Sequence, residues 1–264
     1  MMLRRLIGNL KAQNWTAIAI EFVILVIGVF LGTQVSNWNE SRLDKQATQR
    51  MLVQLAPELR NQMEFFDTAR AYYATTRRYS DQALAGWAGD PKVSDEQFVI
   101  AAYQASQIYG IGINPATWSL TFGGDQLRNI EDQDIRRKME VVLTTDYTPV
   151  SFNAVATPYR EQVRRVIPVD IQDDIRRECG DRFFKGREGA FFVVLPSSCS
   201  LKIDPAKASA AAADLRARKD LVGELRWHIA AVASYLENFD GLAIPIQDLE
   251  NDLTGKKRSH AGKQ

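Results

Sequence analysis

Two histidines, two cysteines and a short acidic run are the side chains in this sequence whose types could do chemistry. His228 follows Trp227 beside an apolar stripe, and His260 lies close to the end of the chain. Neither has a nucleophile or a second base at short spacing, so a structural role is the expectation. Cys179 and Cys199 are enough for one disulfide and too few for a structural zinc site. Asp173, Asp174 and Glu178 could face a cation, but Arg176 and Arg177 alongside favour a solvated, charge-balanced face. Phe122-Gly123-Gly124-Asp125 lacks the remainder of a phosphate loop and reads as a turn. No Gly-x-Ser-x-Gly elbow occurs. These residues predict no metal, no cofactor and no catalytic centre.

One aromatic constellation could hold a small molecule. Trp87, Tyr103, Tyr109, Trp118 and Phe122 fall in a short interval of short helices and loops. Aromatics with convergent polar groups suit a ligand pocket, although the same residues also build ordinary cores.

The element that must position everything else is the run Trp15 to Trp38, whose centre, Phe22 to Gly32, is wholly apolar. As a helix it separates the two tryptophans by roughly 35 Å. That spans a hydrocarbon core with an aromatic at each interface. The run exceeds a secretory signal core, and Gln34 to Asn37 make a poor cleavage site, so an uncleaved anchor is expected. Arg4, Arg5 and Lys11 before it are balanced by Arg42, Lys45 and Arg50 after it, and the charge rule barely votes. The short N-terminal tail and a lone cysteine pair favour the N-terminus inside and the bulk of the chain in an oxidising compartment.

Inside this run Glu21 is an ionisable residue at membrane depth. It either reaches the headgroups, pairs with Lys11, or serves a function. Glu21 and Gly28 are seven apart, and Gly32 follows Gly28 by four, which puts all three on one helix face. Small-xxx-small spacing lets two helices approach closely, so self-association or a membrane-protein partner is expected here.

The same segment carries a resemblance. Gln13-Asn14-Trp15, Glu21, Gly28-Val29-Phe30-Leu31-Gly32 and Gln34-Val35-x-Asn37-Trp38-Asn39-Glu40 resemble the N-terminal signature of an uncharacterised bacterial family of single-pass membrane proteins, a domain of unknown function. A fainter similarity lies at Thr117-Trp118, Gly124, Leu127-Arg128, Ile130, Asp132 and Ile135-Arg136. The resemblance implies a bacterial inner-membrane protein with one anchor and a helical domain. It brings no activity and no site residue.

Past the anchor, Leu52, Leu55, Leu59, Met63 and Phe66 recur at helical spacing, with Pro57 expected to kink or restart the helix. Trp87 to Pro91 should end it. Ser94 to Gln97 reads as a capping box opening a helix to about Tyr109. A short helix is expected over Pro115 to Phe122, and one capped by Asp132 carries Ile135, Met139 and Val142. A further helix should run from Thr148 to Ile167, split by Pro158. The arginine doublets 77–78, 136–137, 164–165 and 176–177 read as solvated faces.

Arg182-Phe183-Phe184 and Ala190 to Leu195 flank a turn with two glycines and predict a β-hairpin. Cys179 and Cys199 would clamp its base; two buried thiols are the alternative. Asp204-Pro205 opens a helix. Val222, Leu225, Ile229, Val232, Leu236 and Phe239 form a heptad stripe that Gly241 and Pro245 should bend or break. This stripe is expected to return antiparallel along Leu52 to Phe66.

The chain has 264 residues, is 45% hydrophobic and 25% charged, and carries net charge +1. This composition excludes a disordered chain and argues against a nucleic-acid binder. The expectation is thus a mainly α protein: a cytoplasmic tail over 1–14, an anchor over 15–38, a helical domain with one hairpin over 39–254, and a basic tail over 255–264 able to touch anionic lipid. A non-enzymatic interaction or scaffolding role at the bilayer, oligomeric through the anchor, is the reading. A ligand-sensing module acting through a partner is the alternative.

Overall fold

The computed structural model describes residues 15–110, 125–150 and 155–255. Both tails, the expected helix over Pro115 to Phe122, and with it Trp118 and Phe122, lie outside the described residues. The fold is mainly α with one antiparallel hairpin, as the sequence pattern implies.

Helix α1, Trp15–Trp87, is a single element of 73 residues, roughly 110 Å long. Its apolar window has no buried residue, and the first ion pair to the rest of the described chain is Lys45 with Glu131 at 3.0 Å. The first buried side chain is Thr48, followed by Leu52, Leu55 and Leu59. Pro57 neither ends nor restarts the helix. Proline removes the partner of the carbonyl four residues back. That carbonyl belongs to Val53, which is exposed, so water can serve it. Leu52, Leu55 and Leu59 meanwhile hold the helix on the core. The helix stops at Trp87, and Gly89 takes the left-handed conformation (φ +75°) that the following turn requires.

Helix α2, Asp95–Gln104, opens on Ser94 with both hydrogen bonds of a capping box. It ends five residues before the expected Tyr109. A four-residue turn, α3 (Asp125–Arg128), precedes α4 (Gln133–Thr144), which Asp132 caps through the Asp134 and Ile135 amides. The single helix expected from Thr148 is instead a 3-10 turn, Thr148–Val150, and a separate helix α5, Pro158–Val166. Pro158 opens α5 at its first position rather than splitting it, because that position needs no N–H. Helix α6, Val169–Cys179, was not anticipated.

Strands β1 (Arg182–Lys185) and β2 (Phe191–Val194) form the hairpin, with Phe184 opposite Phe192. Asp204 caps α7 (Pro205–Ala217) through two amides. Helix α8, Asp220–Thr254, then runs 35 residues without a break. Pro245 again orphans a carbonyl on an exposed residue, Gly241, so the expected break does not occur.

Helix α8 lies antiparallel along α1. Tyr73 meets Tyr235 edge-on at 5.6 Å, Phe66 meets Phe239 at 5.0 Å, and Arg60 reaches Glu250 at 3.6 Å. The buried seam of α8 is Leu221, Leu225, His228, Val232, Tyr235 and Phe239. It is rotated from the expected stripe: Val222, Ile229 and Leu236 sit at its half-buried edge. At the end far from the anchor, α2 and α7 close the core. There Trp87 donates its indole N–H to the Leu215 carbonyl at 2.8 Å and packs edge-on against Phe98.

Candidate functional site

The anchor face, the hairpin and a polar knot at the α5–α8 junction are the three places where side chains are arranged beyond what packing alone demands. On α1, Glu21 is half-buried beside Trp15, Ile18, Phe22 and Leu25, and its Oε2 has no hydrogen-bond partner among the described residues. A Cβ built on Gly28 or Gly32 would meet nothing. A helix-interior glycine costs about 1 kcal/mol relative to alanine. No contact among the described residues accounts for either one.

The knot is built from the first turn of α5. Thr157 stands at the N-cap position but makes no cap hydrogen bond with its side chain. Its hydroxyl lies 2.7 Å from His228 Nδ1 instead. The imidazole stacks on Tyr159, whose hydroxyl donates to the Ala102 carbonyl at 2.8 Å. His228 is fully buried, and its Nε2 has no partner among the described residues. Burial, with Arg160 nearby, lowers its pKa to about 4, so the ring is neutral at pH 7. One turn on, Arg160 donates to the Ser106 carbonyl at 2.6 Å, and Arg164 donates to Gln107 Oε1 at 2.9 Å while lying over the Tyr103 ring. Burial pulls the Arg164 pKa down, which shows how deeply that guanidinium is set.

Not every arginine is spent on the solvent, then. Arg77, Arg137, Arg165, Arg176 and Arg177 do pair with acids on their own helices, as expected of solvated faces. Arg164 instead turns inward. No short-range motif marked this, because its partners Ser106 and Gln107 are more than fifty residues away in the chain.

Cys179 and Cys199 are joined as a disulfide, with Cα atoms 5.3 Å apart, and no described cysteine is free. Gln104 Nε2 donates to the Cys179 carbonyl at 2.6 Å, which seats this clamp against α2. At the other end of the hairpin the Glu64 carboxylate accepts the Arg187 amide at 3.1 Å, and Arg60 pairs with Glu188 at 2.5 Å.

The aromatic set does not converge on one chamber among the described residues. Tyr103 and Tyr109 are fully buried, and Tyr109 packs edge-on against Phe65 and Tyr72. Trp87 serves the α1–α7 junction. A different hollow, about 230 Å³, lies between α1 and α8, bordered by Tyr73, Thr76, Ser80, His228, Val232 and Leu236. The acidic run 173–178 is drawn into ion pairs with Arg176 and Arg177, and no described group of three His, Cys, Asp or Glu side chains is placed to hold a metal.

No protein-family model, no curated protein and no solved structure matches this chain. Function has to be argued from geometry.

Proposed function

We propose that this chain is a membrane-anchored, non-enzymatic interaction protein that self-associates through α1. The observation that carries the reading is the state of the anchor. It is the described helix long and apolar enough to cross a membrane, and none of that apolar stretch is covered. Along it, Gly28 and Gly32 face open space, and Glu21 Oε2 has no partner among the described residues. Close helix approach at the glycines, with the two Glu21 side chains on the same contact face, would use all three.

The joined cysteines support an oxidising compartment for the domain. With Trp15 at the cytoplasmic side, that is an extracytoplasmic domain held by this span. The anchor's resemblance to a bacterial membrane family supports the inner membrane as its location. The described contacts of the domain reach down α1 to Lys45, which pairs with Glu131 at 3.0 Å. The domain begins just past Trp38, a position that suits contact with other proteins at the membrane surface.

The test is crosslinking of the full chain in its membrane. Wild type is expected to give a dimer or higher species, and Gly28→Leu to abolish it. Identical crosslinking of the two would refute self-association through this face. A second reading, ligand sensing, is favoured by the hollow between α1 and α8 rather than by the aromatic set. It calls for ligand-dependent shifts in the melting of the purified protein.

A further inference from the structure

The hairpin presents an open edge that is rigid, aromatic and basic. Gly186 N–H donates to the Ala190 carbonyl at 2.8 Å, and Gly189 N–H donates to the Gly186 carbonyl at 3.1 Å. Gly189 adopts a left-handed conformation (φ +93°). Together these make a type I turn closed by a glycine bulge. The Gly186–Ala190 bond fixes the parity of the ladder. Arg182 and Phe184 direct their backbone groups at β2, while Phe183 and Lys185 direct theirs outward. All of β1 is exposed, and among the described residues the sheet has no third strand.

The side chains do not protect this edge as apolar strands usually are protected. Phe183 is 71% exposed and Phe191 64% exposed, on the same face of the hairpin. Val194 and Phe184 add exposed apolar surface on the other face. Contiguous exposed apolar surface of this kind marks interaction sites. Arg182, Lys185 and Arg187 stand against Glu188 alone within the hairpin, so the edge is also basic. Both ends are pinned. The disulfide holds the base, and Glu64 and Arg60 hold the tip. A pinned strand gives up little entropy when another strand pairs with it.

We infer that the outer edge of β1 docks an extended acidic–apolar peptide segment of a partner protein, which adds as a third strand. The segment's backbone bonds the outward N–H and C=O groups of Phe183 and Lys185. Its apolar residues lie against Phe183, Phe191 and the methylenes of Lys185 on one face, and its carboxylates face Arg182 on the other.

A second copy in the same membrane does not fit this edge. Symmetric pairing of two β1 edges is antiparallel, with the twofold axis perpendicular to the sheet. The hairpin lies along α1: its base meets Tyr72 through Asp181, and its tip meets Glu64. The twofold would therefore cross α1 and point the second anchor the opposite way. The inference rests on the chain being an interaction protein, but it uses a different surface from the anchor.

The test uses the full chain in lipid nanodiscs and a labelled seven-residue peptide alternating glutamate with valine and phenylalanine. Saturable binding by anisotropy is expected. Phe183→Pro removes an outward donor and leaves the β2 pairing intact, because proline is tolerated on the solvent side of an edge strand. Arg182→Glu reverses the charge on the face that meets the carboxylates. Each is expected to weaken binding about tenfold with helical circular dichroism unchanged. Gly28→Leu is expected to leave peptide binding intact, which separates this site from the anchor. Equal binding by wild type and both edge variants would overturn the inference. So would equal binding of a peptide N-methylated at alternate amides, or β1-to-β1 crosslinking between chains in place of peptide binding.

Discussion

At the residue scale, His228 shows how a buried titratable group becomes a stability term. Its pKa is about 4 in the folded chain against an ordinary 6.5. The unfolded chain therefore binds the proton more tightly, and acid favours unfolding. This contribution is complete above pH 6.5 and is lost as the pH falls towards 4, by up to about 3 kcal/mol. Denaturant midpoints of the wild type are expected to fall between pH 7 and 4.5, and those of His228→Gln to fall distinctly less. A drop of equal size in both would clear His228 of any part in it. Gly86 is a residue of the opposite kind, needed for its absence of a side chain. A Cβ there would overlap the Phe98 ring, which is held between Trp87 and Arg216. Gly86→Ala is expected to destabilise by about 1–3 kcal/mol through overpacking, measured by equilibrium unfolding. The sequence marked His228 as structural but could not name Thr157 as its partner, and nothing local distinguishes Gly86 from a surface glycine.

At the scale of elements, what was legible in the sequence was what is decided locally. The capping box at Ser94, the Asp132 and Asp204 caps, and the hairpin with its glycine turn all depend on residues within a few positions of each other. What was misread depends on distant chain. Pro57 read as a kink or restart and Pro245 as a bend or break, and neither helix is interrupted; the exposure of Val53 and Gly241 cannot be seen from spacing. The α8 seam was read from its most apolar residues, whereas the buried line includes His228 and Tyr235. Both are satisfied by remote groups, Tyr235 by the Val150 carbonyl at 3.0 Å. The disulfide is the element-scale feature with the largest expected effect. It closes a separation of 20 residues around the hairpin. Replacing both cysteines by serine is expected to cost about 3 kcal/mol and to make the chain around Arg187 susceptible to trypsin. An unchanged unfolding midpoint would mean that the Gln104, Glu64 and Arg60 contacts suffice to hold the hairpin.

At the scale of the whole molecule, α1 runs from an apolar stretch that no described residue buries into the spine of the domain. Its first half has no covered residue in the apolar stretch, and its second half is the spine that α8, α2 and β2 pack against. The antiparallel return of α8 was legible because two long apolar stripes each needed a cover. That no described part of the domain covers the apolar stretch of the anchor was not, since an amphipathic segment could in principle have done so. Mutations at sites without shared contacts add independently. The anchor should then be removable without loss of the domain's stability. A chain beginning at Asn39 is expected to be water-soluble, to keep the helical signal of the domain, and to unfold within about 1 kcal/mol of the full-length protein in detergent. It should also be monomeric at concentrations where the full chain crosslinks, because Glu21, Gly28 and Gly32 are gone. An unfolded or aggregated product would show that the membrane half of α1 supports the domain, and that the exposed apolar stretch is covered by this same chain. A folded but still dimeric product would move self-association from the anchor to the domain.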